Sequence, residues 1–160
     1  MTWDEFHMEM AKTASLKSKD ESTKIGAVIV GPDHEIRSTG YNGFPRGALD
    51  NVPEGLIKDP MWNMAKKRLA NRLERPLKYR WTEHAERNAV YNAARVGIPL
   101  KGCTLYVCGL PPCCDCARAI IQSGIIEVVH PDIEVPERWQ EDCWVAREML
   151  LECRVRVRKI

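Results

Sequence analysis

Two short stretches hold side chains of the kind that bind metals and move protons. They are His84-Ala85-Glu86 and, further along, Pro112-Cys113-Cys114-Asp115-Cys116. One imidazole and two thiolates separated by two residues supply three soft donors for a tetrahedral ion such as zinc, with a fourth position left open. A structural zinc site would have four protein ligands and no use for an acid beside them. A catalytic site keeps a water, whose pKa zinc lowers to about 7, next to a carboxylate that carries protons. Glu86 supplies that carboxylate. The spacing also chooses among the cysteines. In a C-x-x-C at a helix start the first and fourth positions turn toward one ion. Cys113 and Cys116 are therefore the expected ligands with His84, and Cys114 a packed thiol.

Both stretches must sit at helix starts for this to work. Thr82 is a good N-cap, and the helix over "EHAERNAVYNAARVG" is closed by Gly97. "CTLYVCG" reads as a strand, "CDCARAIIQSG" as a helix and "IIEVVH" as a strand. A right-handed β-α-β crossover then sets the two helix N-termini side by side at one end of a sheet. Their positive ends favour thiolates.

Upstream, Thr2-Trp3-Asp4-Glu5 reads as a capping box, and Trp3, Phe6, Met10 and Ala14 recur at helical spacing on what should be the buried face of a first helix ending near Ser18. "IGAVIV" and "EIRSTGY" flank the turn signal "GPDH" and form a hairpin. Downstream, Pro136 opens a helix with Trp139, Cys143, Ala146 and Leu150 on one face, and "CRVRVRKI" is a closing strand. The expected fold is α/β: a three-layer α-β-α sandwich around a five-stranded mixed sheet, with an antiparallel N-terminal hairpin and parallel later strands. Residues 1–160 make a single domain with an insertion at about 43–80. That insertion is rich in proline and glycine, with a helical island at "MWNMAKKRLANRL". Over residues 51–80 eight Lys/Arg stand against three Asp/Glu, as in a basic lid or a solvated excursion.

Composition narrows the class. A hydrophobic fraction of 44% and a charged fraction of 29% are those of a soluble globular chain. The N-terminus "MTWDEFHMEM" is acidic and mixed, without the apolar stretch of a signal peptide, and no apolar run approaches the length that spans a bilayer. A cytoplasmic protein is expected. Seven cysteines in such a chain point to metal binding or buried thiols and not to a disulfide framework. Cys103, Cys108, Cys143 and Cys153 read as core residues, and His7, His34 and His130 as surface or capping histidines. The formal charge of +2 makes no case for nucleic acid.

H-x-E followed by P-C-x-x-C is the general signature of zinc nucleobase deaminases. The motifs "STKIGAVIV", "STGYNGFPRG", "HAERNA" and "PCCDCARAIIQSGI" resemble those of the deoxycytidylate (dCMP) deaminases within the cytidine deaminase superfamily. The resemblance implies a cytidine deaminase-type sandwich and hydrolytic deamination of dCMP to dUMP and ammonia, a source of dUMP for thymidylate synthesis. It implies one catalytic Zn2+ per chain, held by His84, Cys113 and Cys116, with Glu86 as catalytic proton shuttle. Asn42 in "GYNG" matches the asparagine that holds the nucleotide's sugar and base. Lys24 and Arg46 flank the matched motifs and are candidates for the 5′-phosphate. The family also implies a homo-oligomer, a hexamer foremost, activated by dCTP and inhibited by dTTP. The extra N-terminal cysteines that hold a second zinc in some members are absent, since none precedes Cys103. Two alternatives use the same chemistry: a deaminase of a modified cytosine nucleotide or another small amino-heterocycle, and a tRNA or single-stranded DNA nucleobase deaminase that would exploit "RVRVRKI" and the basic insertion. A zinc-stabilised binding module without turnover is a third, and Glu86 argues against it.

Overall fold

The structure, a computed structural model, describes residues 1–48, 72 and 74–160. The helical island expected over 61–73 lies outside them, apart from Arg72. The chain divides into one unit of Met1–Asn42 with His84–Ile160, and a second unit of Gly43–Glu83.

In the first unit the elements are α1 (Trp3–Ser15), β1 (Gly26–Val30), β2 (Ile36–Tyr41), α3 (Ala85–Val96), β3 (Thr104–Val107), α4 (Cys114–Gln122), β4 (Glu127–His130), α5 (Glu137–Glu152) and β5 (Arg156–Lys159); a short α2 (Lys78–Trp81) belongs to the second unit. The five strands form one sheet in the order β2-β1-β3-β4-β5. β1 runs antiparallel to both β2 and β3, whereas β3, β4 and β5 are parallel. This is the mixed sheet that the sequence predicts. Because β2 and β3 both oppose β1, they point the same way. The helices that follow them, α3 and α4, therefore begin at the same end of the sheet.

Strand periodicity sorts the core into two layers. Ala27, Ile29, Leu105, Val107 and Val128 pack with Ala85, Ala89, Ala93, Ala117, Ile120, Ala146 and Leu150, which covers one sheet face with α3, α4 and α5. Val28, Val30, Tyr106 and Val129 turn to the other face and meet Met8 and Ala11 of α1. Every residue of β1 is buried, as expected for a central strand covered on both sides.

The packing of α3 against β2 sets where the His84 end of that helix lies. Its alanines 85, 89 and 93 recur every four residues and are fully buried. A Cβ on Gly40 of β2 would overlap the Ala85 carbonyl and the Ala89 amide, so only glycine lets the helix approach this closely. Ser38 Oγ donates to the Ala89 carbonyl at 2.7 Å. β2 is an edge strand, and its outward carbonyls at Tyr41 and Thr39 accept from Asn88 and Asn92 Nδ2, each at 2.8 Å. The two amides sit one helical turn apart and cover an edge that would otherwise be open to another chain.

Three expectations fail. The capping box at Thr2 and Glu5 forms, but α1 buries His7, Met8, Ala11 and Ser15 and leaves Trp3 55% exposed. The cause is close approach: a Cβ on Gly26 would overlap the Ala11 carbonyl and the Ser15 amide. Small side chains must face β1 at that contact, and Trp3 turns outward. His7 and His130 are buried instead of lying at the surface. The His7 ring lies between Tyr106 and Trp3, with centroids 4.9 and 5.6 Å away. Cys153 is exposed where a core position was expected.

In the second unit, Gly43 and Glu83 exchange two backbone hydrogen bonds of 3.0 and 2.8 Å, which pin the ends of the segment together. Within it the buried Arg72 guanidinium lies over the Phe44 and Trp81 rings, 4.6 and 5.1 Å from their centroids.

Candidate metal and proton-transfer site

His84 and Cys113 occupy equivalent places, the N-cap positions of α3 and α4. Thr82, expected to cap α3, instead closes α2. Both cap residues have extended backbones, φ −77° and ψ 154° for His84, φ −77° and ψ 172° for Cys113. Neither uses its side chain to cap its own helix. The imidazole and the thiol are instead turned toward each other across the neighbouring helix starts. Cys116, one turn into α4, completes the group.

His84 Nδ1 lies 3.3 Å from Cys113 Sγ and 3.5 Å from Cys116 Sγ. The three donor atoms all fall within 4.8 Å of one another. Zinc–nitrogen and zinc–sulfur bonds at a tetrahedral angle require an N···S separation of about 3.6 Å. The donor set and its spacing thus fit a zinc ion with protein on three corners.

Electrostatics agree with that fit. The Cys113 thiol is pushed down to about 4, chiefly by its hydrogen bond with Cys116, with a further contribution from His84. The same hydrogen bond and burial hold Cys116 well above the ordinary thiol range. The hydrogen bond to Cys113 raises His84 to about 9. A cation entering among these atoms displaces the protons of His84 and Cys116, so its affinity falls as pH falls. Glu86, 5% exposed in the first turn of α3, is raised by burial, against the opposing pull of His84. Desolvation therefore moves it toward the range in which a carboxyl exchanges protons near neutral pH.

Further groups fix these elements. The Trp139 ring of α5 stands edge-on to His84, with centroids 6.5 Å apart. Arg87 of α3 reaches Asp115 of α4 at 3.4 Å, and Arg118 shares that carboxylate. Cys114 points to α5. Its N–H donates to Asp142 Oδ2 at 3.0 Å and its thiol to the Asp142 carbonyl at 3.3 Å. Burial, then Asp142, pushes that thiol up to about 11, keeping it uncharged. Sequence reasoning misses Asp142, because nothing in its spacing connects it to a cysteine 28 residues earlier on another helix.

The remaining sequence candidates are Asn42, Lys24 and Arg46. Asn42 is buried at the end of β2, where Oδ1 accepts from the Ile25 amide at 2.8 Å and Nδ2 donates to the Thr23 carbonyl at 2.8 Å. With Ser18, which donates to its carbonyl, it ties down residues 18–25, the stretch that carries the exposed Lys24. Arg46 is exposed and belongs to the second unit. Among the described residues no helix is long and apolar enough to cross a membrane.

Comparison with known proteins places this geometry. Residues 1–131 match the model of the cytidine and deoxycytidylate deaminase zinc-binding region. Human deoxycytidylate deaminase is 37% identical over 129 residues, which are 81% of this chain and 64% of that relative, so the chain spans less than two thirds of its length. An uncharacterized deaminase of Aliivibrio fischeri is 35% identical over 157 residues, covering 97% of this chain and 91% of the relative. Among solved structures, the dCMP deaminase of cyanophage S-TIM5 in complex with dCMP and dUMP superposes with a TM-score of 0.67 at 24% identity, over 98% of this chain and 95% of that one. That likeness is one of fold. With three soft donors gathered at two helix starts, and with the match running through both motifs, the chain belongs to the cytidine and deoxycytidylate deaminase zinc-binding family.

Proposed function

We propose that this chain is a zinc-dependent enzyme that hydrolyses dCMP to dUMP and ammonia, with residues 1–160 acting as one deaminase domain that carries an insertion at about 43–80. The observation that carries the proposal is the convergence of His84 Nδ1, Cys113 Sγ and Cys116 Sγ within 4.8 Å, with the buried Glu86 two residues from the histidine. Human deoxycytidylate deaminase, 37% identical over 81% of this chain, favours the deoxycytidylate substrate over other cytosine compounds.

When bound, zinc makes water nucleophilic at neutral pH. His84, Cys113 and Cys116 hold it. Glu86 takes a proton as the water oxygen bonds to C4 of the cytosine ring and delivers that proton to N3. It then carries the second proton of the water to the departing amino group, so that the C4–N bond breaks to give ammonia and the ring keeps a carbonyl. Burial suits Glu86 to both directions of transfer, because a raised pKa shortens the gap between its two protonation states near pH 7.

Asn42 orients the sugar and base, and Lys24 and Arg46 meet the 5′-phosphate. A homo-oligomer, a hexamer foremost, with dCTP as activator and dTTP as inhibitor, completes the reading for a cytoplasmic enzyme. The test is ammonia release by zinc-loaded protein offered dCMP, CMP, deoxycytidine and 5-methyl-dCMP, with and without dCTP. Turnover confined to dCMP is the expected result. Turnover of deoxycytidine at the same kcat/KM would remove the phosphate requirement, and silence on all four would overturn the substrate.

A further inference from the structure

An N-cap side chain ordinarily accepts a hydrogen bond from one of the first amides of its helix, because those amides have no partner within the helix. At α4 the N-cap residue is Cys113, whose sulfur makes no cap hydrogen bond to its own helix and lies 3.3 Å from His84 Nδ1. The Cys114 amide is the first of the helix and precedes the second and third amides that an N-cap side chain reaches, so it needs an acceptor from elsewhere.

Asp142 supplies it. Its Oδ2 accepts from the Cys114 amide at 3.0 Å, and its backbone carbonyl accepts from the Cys114 thiol at 3.3 Å. The side chain comes from the middle of α5, whose Cys143, Ala146 and Leu150 are buried. Asp142 is therefore carried by a helix anchored in the core. The residue it grips stands directly between the N-cap Cys113 and the rest of the turn leading to Cys116. Cys143 adds a weaker bond on the same side, from its thiol to the Pro111 carbonyl at 3.5 Å.

We propose that Asp142 is a positioning residue for the metal site: from α5 it takes the first amide of α4 and so fixes the turn that sets the Cys113–Cys116 spacing. The proposal rests on the reading that His84, Cys113 and Cys116 hold zinc. Its role differs from that of a fourth ligand, since its carboxylate is engaged with the Cys114 amide. It also differs from general core stability, since its effect runs through one N–H.

Proline removes that N–H together with the Cys114 thiol, and Cys114→Ala, which keeps the N–H, is the control for the thiol. Cys114 is the first residue of α4, where proline is well accommodated and has no amide to satisfy. The extended Cys113 backbone is also of the kind proline tolerates before it. The experiment measures the rate at which zinc-loaded protein releases its metal to excess 4-(2-pyridylazo)resorcinol, with circular dichroism to confirm folding. Asp142→Ala should release zinc about 5- to 10-fold faster, the scale of one lost cap. Asp142→Asn, whose amide oxygen still accepts, should stay within about twofold of the parent. In the Cys114→Pro background Asp142→Ala should add little, because the donor is already gone. Release at the parent rate by Asp142→Ala, or an undiminished effect in the Cys114→Pro background, would overturn the assignment. So would an Asp142→Ala chain that unfolds in both backgrounds; unfolding only when the Cys114 amide is present would support it. Cys116→Ser serves as the separate control. If it keeps zinc at full stoichiometry, the site reading has failed; if it loses zinc while Asp142→Ala behaves like the parent, only the positioning role has failed.

Discussion

Two polar clusters of the first unit use buried and half-buried charge in opposite ways. On the sheet face covered by α1, Asp4 accepts from Arg158 at 2.5 and 2.9 Å and from the Tyr106 hydroxyl at 2.8 Å. Glu127 meets Arg156 at 3.3 Å and Arg158 at 3.5 Å. Both carboxylates there face a guanidinium. The hydrogen bond from Arg158 holds Asp4 down to about 2, and burial lifts Tyr106 to about 12. Such a network joins α1 to β3, β4 and β5 and pairs each carboxylate with a cation. At the starts of α3 and α4, by contrast, three soft donors are crowded together with a buried carboxyl nearby. Their mutual hydrogen bonds leave a thiol and an imidazole holding protons that a divalent cation would replace. A cluster that closes on itself stabilises; a cluster that stays a donor set after closing is built for something else.

Breaking each cluster should therefore give different symptoms. The largest effect belongs to Glu86→Gln, which should lower kcat roughly 100- to 10,000-fold while zinc content by metal analysis stays at one per chain. Retained activity would remove Glu86 from the chemistry. Cys116→Ser should lose zinc to a chelator that leaves the parent loaded, and acidification should release zinc from the parent as His84 and the thiols regain protons. Arg158→Ala, in the other cluster, should leave zinc and turnover intact but lower stability in urea by about 1 kcal/mol. The loss is small because the side chains of the pair are 40% and 32% exposed, and water screens them. The pH dependence there has a fixed sign. Asp4 has a depressed folded pKa, so its contribution is present above its unfolded value near 3.8 and is lost as pH falls through about 2. Asp4→Asn should flatten the change in urea midpoint between pH 5 and pH 2.5. The smallest effect is expected of Cys114→Ser, which should keep zinc at full stoichiometry, since a hydroxyl can donate to the Asp142 carbonyl as the thiol does.

The antiparallel hairpin and the parallel later strands are legible because hydrophobic period and turn residues agree with one another along most of the chain, whereas the strand order β2-β1-β3-β4-β5 is seen only in the structure. The convergence of His84, Cys113 and Cys116 is legible for a different reason: C-x-x-C and H-x-E join a chemistry to a spacing, and the crossover rule puts the two helix starts side by side. Where reading fails, the deciding contact comes from elsewhere in the chain. Trp3 and Phe6 are the most apolar residues of α1, yet Gly26 draws that helix so near β1 that only Ala11 and Ser15 fit between. Thr82 has the better capping side chain, yet His84 takes the position because α2 ends at Thr82 and Gly43 pairs with Glu83. His7 reads as a surface residue, and its burial depends on Tyr106, Trp3 and the loop carbonyl of His34.

By itself, then, the sequence determined which reactive side chains are present and the elements that carry them, since soft donors, a carboxylate and periodic apolar residues have fixed preferences wherever they occur. Tertiary structure decided which atoms are free to use those preferences. Cys113 meets His84 across two helix starts, and Asp142, on a helix packed against α4, accepts from the Cys114 amide beside it. No spacing rule relates residues 113, 114 and 142, because their meeting depends on how α5 lies on the core.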